Sequence, residues 1–174
     1  TAAMCAAALG ARLRVARTKD EWNAEIGVPL TLLALEPAHQ AAVIEMAMRG
    51  LGQIAELVAI AAPQIGAVTN VGASHLELLG TIEHVARAKA ELIEGLPADG
   101  VAVLNRDDPR VHAMAARSRA RVMTYGMHPD ADVRADDVQS TEAGVQFTIV
   151  MPGRREPVLV PALGSHNVSN ALAA

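Results

Sequence analysis

The chain has 174 residues, a net charge of −4 and 51% apolar residues, a composition typical of a folded globular domain that excludes a disordered chain. Aromatic residues make up only 2% and no basic stripe is visible, which argues against aromatic stacking platforms and electrostatic binding of nucleic acid. No apolar run reaches the about 18 residues of a membrane span. The single cysteine, which cannot form an intrachain disulfide, fits a cytoplasmic protein.

From residue 13 to residue 125 the chain alternates between strand and helix patterns, after an alanine-rich first helix. Helices are predicted over 1–9, 30–35, 53–60, 81–94 and 108–116, and strands over 13–16, 41–46, 65–69, 101–105 and 121–125. The helix over 81–94 has the clearest ends, with Thr81 as its N-cap and Gly95 as its stop. This alternation predicts a doubly wound, mostly parallel α/β sheet.

After Gly126 the pattern changes to short strands. Residues 133–138, 145–151 and 157–160 are typical of an antiparallel set, with turns at 142–144 and 152–153. We therefore expect a small antiparallel β extension over residues 126–161, within one domain of residues 1–174. A last helix is predicted to begin at His166.

Polar residues follow several of the predicted strands, at the edge of the sheet where α/β proteins bind ligands. Glu45 ends an apolar strand, where it is either a ligand for Mg²⁺, which prefers hard oxygens, or a helix cap or ion-pair partner of Arg49. His75 follows the strand over 65–69, as a metal ligand or as a structural histidine. Asn105 begins a polar loop over residues 105–109, which also suits a simple turn with Asp108 as a helix cap.

Two later features allow a functional and a structural interpretation. Lys89 borders the buried face of the helix over 81–94. In the structural interpretation its aliphatic stem is buried while its amine reaches water. In the functional interpretation the amine is held near phosphate and metal and can be chemically modified. Asn167 and Asn170 share one helix face. Their amides suit a purine edge or ribose, and Asn167 also suits an N-cap.

Six stretches in series resemble the Mur ligases, the ATP-dependent amide-forming enzymes of peptidoglycan synthesis. They are residues 25–33, 45–49, 69–80, 86–91, 103–109 and 164–174. The resemblance implies the central ATP-binding domain, with a P-loop NTPase-like fold, of a three-domain protein. The motif G-x-x-x-x-G-K-[ST] does not occur in these residues, and neither the UDP-sugar domain nor the C-terminal amino-acid domain is represented. We therefore expect this piece to be inactive by itself.

The same resemblance implies ATP and Mg²⁺ as cofactors. It implies that Glu45, His75 and Lys89 are metal ligands. It also implies that Lys89 is carbamylated, which supplies an oxygen ligand, and that Lys89 and His75 are the catalytic residues.

Asn105, Asn167 and Asn170 are the nucleotide-binding residues that the resemblance implies, and Asn23 lies in the loop that faces the substrate. The run over 25–33 favours the branch that joins UDP-N-acetylmuramoyl-tripeptide to D-Ala-D-Ala through an acyl phosphate. We expect a monomer without a nucleic-acid partner. Another Mur enzyme, a cyanophycin or folylpolyglutamate synthetase, and a non-catalytic module of the same fold are the alternatives.

Overall fold

The computed structural model describes residues 1–72 and 80–174. In these ranges the helices are α1 (Ala2–Gly10), α2 (Gly27–Leu33), α3 (Gln53–Ala61), α4 (Ile82–Glu94), α5 (Pro109–Ala113), which a 3₁₀ turn (Met114–Arg117) follows, and α6 (His166–Leu172). The strands are β1 (Val15–Arg17), β2 (Ala41–Val43), β3 (Ile65–Val68), β4 (Val101–Asn105), β5 (Arg121–Gly126), β6 (Val133–Thr141), β7 (Gly144–Met151) and β8 (Arg154–Val160). None of these helices has the length and hydropathy needed to cross a lipid bilayer.

Six of these strands form one sheet in the order β3-β4-β5-β6-β7-β8. The pairs from β3 to β6 are parallel, whereas β6–β7 and β7–β8 are antiparallel. The predicted α/β class, with a mostly parallel sheet and antiparallel strands on one side, is confirmed. β6, β7 and β8 lie inside the range predicted for the β extension and continue the same sheet.

β1 and β2 differ from the expectation of one sheet. They pair in parallel with each other, and in the described part of the chain neither belongs to the larger sheet. β2 also ends at Val43 rather than at residue 46. The Glu45 amide donates instead to Thr18 Oγ1 (2.8 Å) and the Ala47 amide to the Asn23 carbonyl (2.7 Å), so the backbone has left the ladder.

The first hydrophobic cluster lies where α3 and α4 pack on β3 and β4. Its fully buried side chains include Val85 and Ile93 of α4 and Leu104 of β4. Gly66 of β3 permits the close approach of α4, because a Cβ there would lie 3.1 Å from the Leu92 side chain. The cluster is almost purely aliphatic, so its stability depends on close packing of small and branched side chains.

The second hydrophobic cluster lies under the antiparallel side of the sheet. Tyr125 of β5 and Phe147 of β7 are its largest buried side chains. Val168 and Leu172 of α6 belong to the same cluster, and Met4 of α1 packs against it. Helices from the two ends of the described chain are therefore fixed to the same group of strands.

Replacing a buried side chain of α4 tests the first cluster. We expect Ile93→Ala to lower the free energy of unfolding by about 2–5 kcal/mol, because Ile93 is 0% exposed and the cavity left behind cannot close fully. Ile65→Ala is the matched control, since Ile65 is 65% exposed, and we expect it to cost less than about 1 kcal/mol. Urea unfolding of the chain measures both, and equal costs would contradict this packing.

Asp132 closes the connection between β5 and β6. Its carboxylate accepts hydrogen bonds from the backbone amide and from the hydroxyl of Thr124, both at 2.7 Å. These bonds, the backbone one first, stabilise the ionised form and hold the pKa of Asp132 below its usual value. Its contribution to stability is therefore present above the usual aspartate pKa of about 4 and is lost as the pH falls through the lower folded-state pKa.

We expect Asp132→Asn to lower the free energy of unfolding at pH 7 and to weaken its dependence on pH below about 4. Urea unfolding across a pH series measures both effects. Asp99→Asn, at an exposed position before β4, is the control for the loss of one carboxylate, and we expect it to change the free energy of unfolding at pH 7 by less than about 0.5 kcal/mol. An acid limb that is the same in Asp132→Asn and in the parent chain would contradict the assignment.

Candidate functional site

Three side chains hold the segment that leaves β3. The Asn105 amide donates to the Thr69 carbonyl (2.8 Å), the Lys89 amine donates to the Asn70 carbonyl (2.7 Å), and the Asp108 carboxylate accepts from the Val71 amide (2.7 Å). We call these contacts to residues 69–71 the strand-end clamp. They bring two predicted site residues, Lys89 and Asn105, to one loop.

Lys89 reaches this loop because of its place on α4. Val85 and Ala88 of the same helix are fully buried, and Lys89 stands at the border of that face, half-buried. Burial lowers the pKa of the Lys89 amine, and the negative charge of Asp108 partly opposes this shift. The amine therefore bonds a backbone carbonyl in a partly desolvated place, which favours its neutral form more than open solvent would.

The turn at residues 105–108 joins the carboxyl ends of three neighbouring strands. Besides its bond to residue 69, Asn105 accepts through its amide oxygen from the Asp107 amide (2.9 Å). The Asp107 carboxylate accepts from the Met127 and His128 amides that follow β5 (2.6 and 2.8 Å). Gly126 makes room for this, with a φ of +153° and a Cβ position 2.7 Å from that carboxylate. The 105–108 turn therefore links β3, β4 and β5.

The bonds that Asp107 and Asp108 make to other strands were missed by the sequence reasoning, which singled out Asn105 as the site residue of this loop. Asp108 is the N-cap of α5, accepting from the Arg110 and Val111 amides, as the turn-and-cap alternative predicted. Its second oxygen, however, serves β3. The consecutive carboxylates Asp107 and Asp108 after β4 could have indicated a role in binding backbone amides. Spacing along the sequence, however, does not identify which distant amides they bind.

Glu45 and Asn23 form a second local group. The Asn23 amide donates to the Glu45 carboxylate at 3.3 Å, so the carboxylate faces Asn23 rather than Arg49. Glu45 is exposed, and it lies just after the point where β2 ends. The following helix, α3, is tied to α4 because Glu91 accepts from the Gly52 amide at 2.7 Å. The helix that carries Lys89 thus also anchors the chain that leads away from Glu45.

Asn167 and Asn170 form a third local group, at the junction of α6 with α1. Asn167 is buried and donates to the Leu163 carbonyl (2.9 Å), and Asn170 donates to the Asn167 amide oxygen (3.4 Å). The Thr1 hydroxyl donates to the Asn170 amide oxygen. The N-cap of α6 is Ser165, so the N-cap alternative for Asn167 is wrong.

The donor chemistry of these groups bears on Mg²⁺, which prefers oxygen ligands. Glu45 offers an exposed carboxylate, whereas the unmodified amine of Lys89 offers no oxygen. Over residues 1–72 and 80–174, no three histidine, cysteine, aspartate or glutamate side chains cluster as a metal site. His75 lies outside the described residues. Among the described site residues, the Glu45 carboxylate therefore fits Mg²⁺ as it stands, and Lys89 would fit it only as the carbamate that the resemblance implies.

Comparison with known proteins identifies the family. The sequence model of the Mur ligase middle domain matches residues 1–174. A relative from Synechocystis sp., named UDP-N-acetylmuramoyl-tripeptide–D-alanyl-D-alanine ligase, is 42% identical over 175 residues, which is 100% of this chain and 36% of the relative. The chain therefore spans about a third of the length of this relative.

Solved structures agree with the sequence comparison. The crystal structure of MurF from Acinetobacter baumannii superposes with a TM-score of 0.92 at 27% identity, covering 98% of this chain and 37% of that one. The MurF ligase of Thermotoga maritima in complex with ADP has a TM-score of 0.84 at 27% identity, with 95% and 38% covered. The fold described above is thus that of a middle domain in larger ligases.

The α6 junction yields a test of its own. We expect Asn167→Ala to lower the free energy of unfolding by about 1–3 kcal/mol, because it leaves the Leu163 carbonyl without its amide partner. Asn170→Ala should cost less, since Asn170 is half-buried, its bond to Asn167 is longer, and the Thr1 hydroxyl that it leaves can turn to water. Urea unfolding and amide exchange in α6 measure the difference. A larger cost for Asn170→Ala would contradict the described arrangement.

Proposed function

The chain belongs to the Mur ligase family, and from this premise we propose that the protein is an ATP-dependent ligase that adds D-alanyl-D-alanine to UDP-N-acetylmuramoyl-tripeptide in peptidoglycan synthesis. The observation that carries the proposal is the 42% identity, over the whole chain, to a relative with that name. The described residues would form the ATP-binding part of this protein.

The proposed reaction has two steps. A carboxylate of the tripeptide attacks the γ-phosphorus of ATP, so that a P–O bond forms, the bond to ADP breaks and an acyl phosphate results. The amine of D-Ala-D-Ala then attacks the acyl carbon, phosphate leaves, and the amine loses a proton. An anion must approach a polyanion in the first step, so the site must provide positive charge.

Glu45, His75 and Lys89 are the proposed metal ligands, with Lys89 as its carbamate. The neutral Lys89 amine attacks the carbon of CO₂, the N–C bond forms as a C=O electron pair moves to oxygen, and the nitrogen loses one proton. Partial burial of the amine supports this step, because it favours the neutral form. When bound, Mg²⁺ would offset the charge of the phosphates.

The asparagines are the proposed contacts to the organic ligands. Asn167 and Asn170 would face the nucleotide, together with Asn105, and Asn23 would face the UDP-linked peptide. The hydrogen bond from Asn23 to Glu45 supports this role, because it places the proposed substrate loop beside a proposed metal ligand. A cytoplasmic monomer without nucleic acid remains our prediction for the whole protein.

Substitution of Lys89 in the full-length protein tests the proposal. We expect Lys89→Ala to lower ATP-dependent ligation of D-Ala-D-Ala by at least about 100-fold, because the carbamate oxygens are lost. Added short carboxylates should restore part of the rate by supplying oxygens in the vacated space. Lys19→Ala, at the exposed lysine, is the control and should retain activity.

Undiminished turnover in Lys89→Ala would remove Lys89 from the mechanism. A panel of amino acid and dipeptide acceptors separates the alternatives. Ligation of a different acceptor by the parent protein would indicate a sister ligase, and ATP binding without turnover would indicate a non-catalytic module.

A further inference from the structure

Asp108 serves two elements with its two carboxylate oxygens. Oδ1 accepts from the Arg110 and Val111 amides at the start of α5, at 2.9 and 3.2 Å. Oδ2 accepts from the Val71 amide at 2.7 Å. The cap of α5 uses one oxygen fully, so the bond to Val71 is an additional link between α5 and the segment after β3.

The Val71 amide of this link belongs to the same planar peptide group as the Asn70 carbonyl that receives Lys89. Thr69 is held through Asn105 and Val71 through Asp108, so the peptide of Asn70 is fixed on both sides. Asn70 is exposed and its carbonyl accepts from the Lys89 amine at 2.7 Å. A restrained backbone at this peptide keeps the carbonyl, and with it the amine of Lys89, in one place.

The Asn70 carbonyl can keep its donor when Lys89 is modified. A carbamate nitrogen retains one hydrogen, and this N–H can still donate to the same carbonyl. Because a carbamate is planar, an N–H fixed on one carbonyl also fixes the plane of its two oxygens. The strand-end clamp would thus set the direction in which those oxygens point.

We propose that Asp108 is a positioning residue for Lys89, which it orients by fixing the Asn70 carbonyl through its hydrogen bond to Val71. This inference rests on the proposed function, because it assigns an orienting role toward the Lys89 carbamate. In this role Asp108 acts through the backbone of residues 70 and 71. Its charge acts on Lys89 separately, because it raises the pKa of the amine against the effect of burial.

The test uses Asp108→Asn in the full-length protein. An amide has one acceptor oxygen, so it can cap α5 or bond Val71, and its NH₂ group faces a donor on the other side. Asp108→Ser is the second variant, since serine is also a good N-cap but has no second oxygen. Asp107→Asn is the matched control at the neighbouring carboxylate, which holds the loop after β5 instead.

Three readouts separate positioning from general stability. Amide exchange at Val71 should become about tenfold faster or more in both Asp108 variants, with the Leu104 amide of β4 unchanged, because one charged acceptor is lost. The bicarbonate concentration that half-fills the Lys89 carbamate, followed by ¹³C NMR with labelled bicarbonate, should rise severalfold. Loss of the Asp108 charge by itself would lower this concentration, because that charge favours the ammonium form of the amine and repels the carbamate, so a rise reports lost positioning. The kcat should fall while the KM for ATP stays within about twofold. Asp107→Asn should leave Val71 exchange and carbamate occupancy as they are.

Unchanged Val71 exchange in Asp108→Asn would overturn the proposal, as would faster exchange with unchanged or higher carbamate occupancy. Absence of the carbamate from the parent protein would overturn the role of Lys89 in the proposed function and this inference with it. A parent protein that carries the carbamate, beside an Asp108→Asn variant with the same occupancy and kcat, would overturn this inference alone.

Discussion

Hydrogen bonds from side chains to backbone groups at the carboxyl ends of β3, β4 and β5 are the constraint on which the candidate site depends. Strands of a parallel sheet end at one edge, where backbone groups no longer have ladder partners, and a buried group left unpaired costs about 1–3 kcal/mol. The 105–108 turn meets this need for three strands together, toward residues 69–71 and toward the loop after β5. The site is therefore stabilised across strands rather than within each loop.

The second hydrophobic cluster contributes to the site by fixing α6. In this cluster, Val168 and Leu172 of α6 pack with Phe147 of β7 and Tyr125 of β5. This packing sets the orientation of the α6 face that carries Asn167 and Asn170, because a helix of only seven residues gains little stability from its own hydrogen bonds. Burial raises the pKa of Tyr125 to about 12, so its hydroxyl stays neutral and the side chain remains part of the hydrophobic cluster.

The sequence was sufficient for the fold class and for most elements, because these depend on local patterns, although α2 spans Gly27–Leu33 rather than residues 30–35. Thr81 and Asp108 cap their helices as predicted, and hydrophobic periodicity placed every strand of the larger sheet. Contacts between distant loops were not predictable: spacing along the chain does not show that Asn23 meets Glu45, or that Asp108 bonds Val71. The separate pairing of β1 with β2 was missed for the same reason, since the pattern of residues in a strand does not show which strand it pairs with. The metal-ligand role of His75 remains a prediction, because this residue lies outside the described ranges.

The charge balance around Lys89 makes the proposed modification depend on a cation. In its ammonium form, Lys89 is attracted by Asp108, which opposes the effect of burial on its pKa. A carbamate in the same place would carry a negative charge and be repelled by Asp108, in a partly desolvated site where such repulsion is strong. A divalent cation beside the carbamate would reverse this cost. By thermodynamic linkage, the carbamate would then strengthen binding of that cation by the same factor. If the proposed function holds, carbamylation of Lys89 and binding of the cation are therefore thermodynamically coupled, and each favours the other.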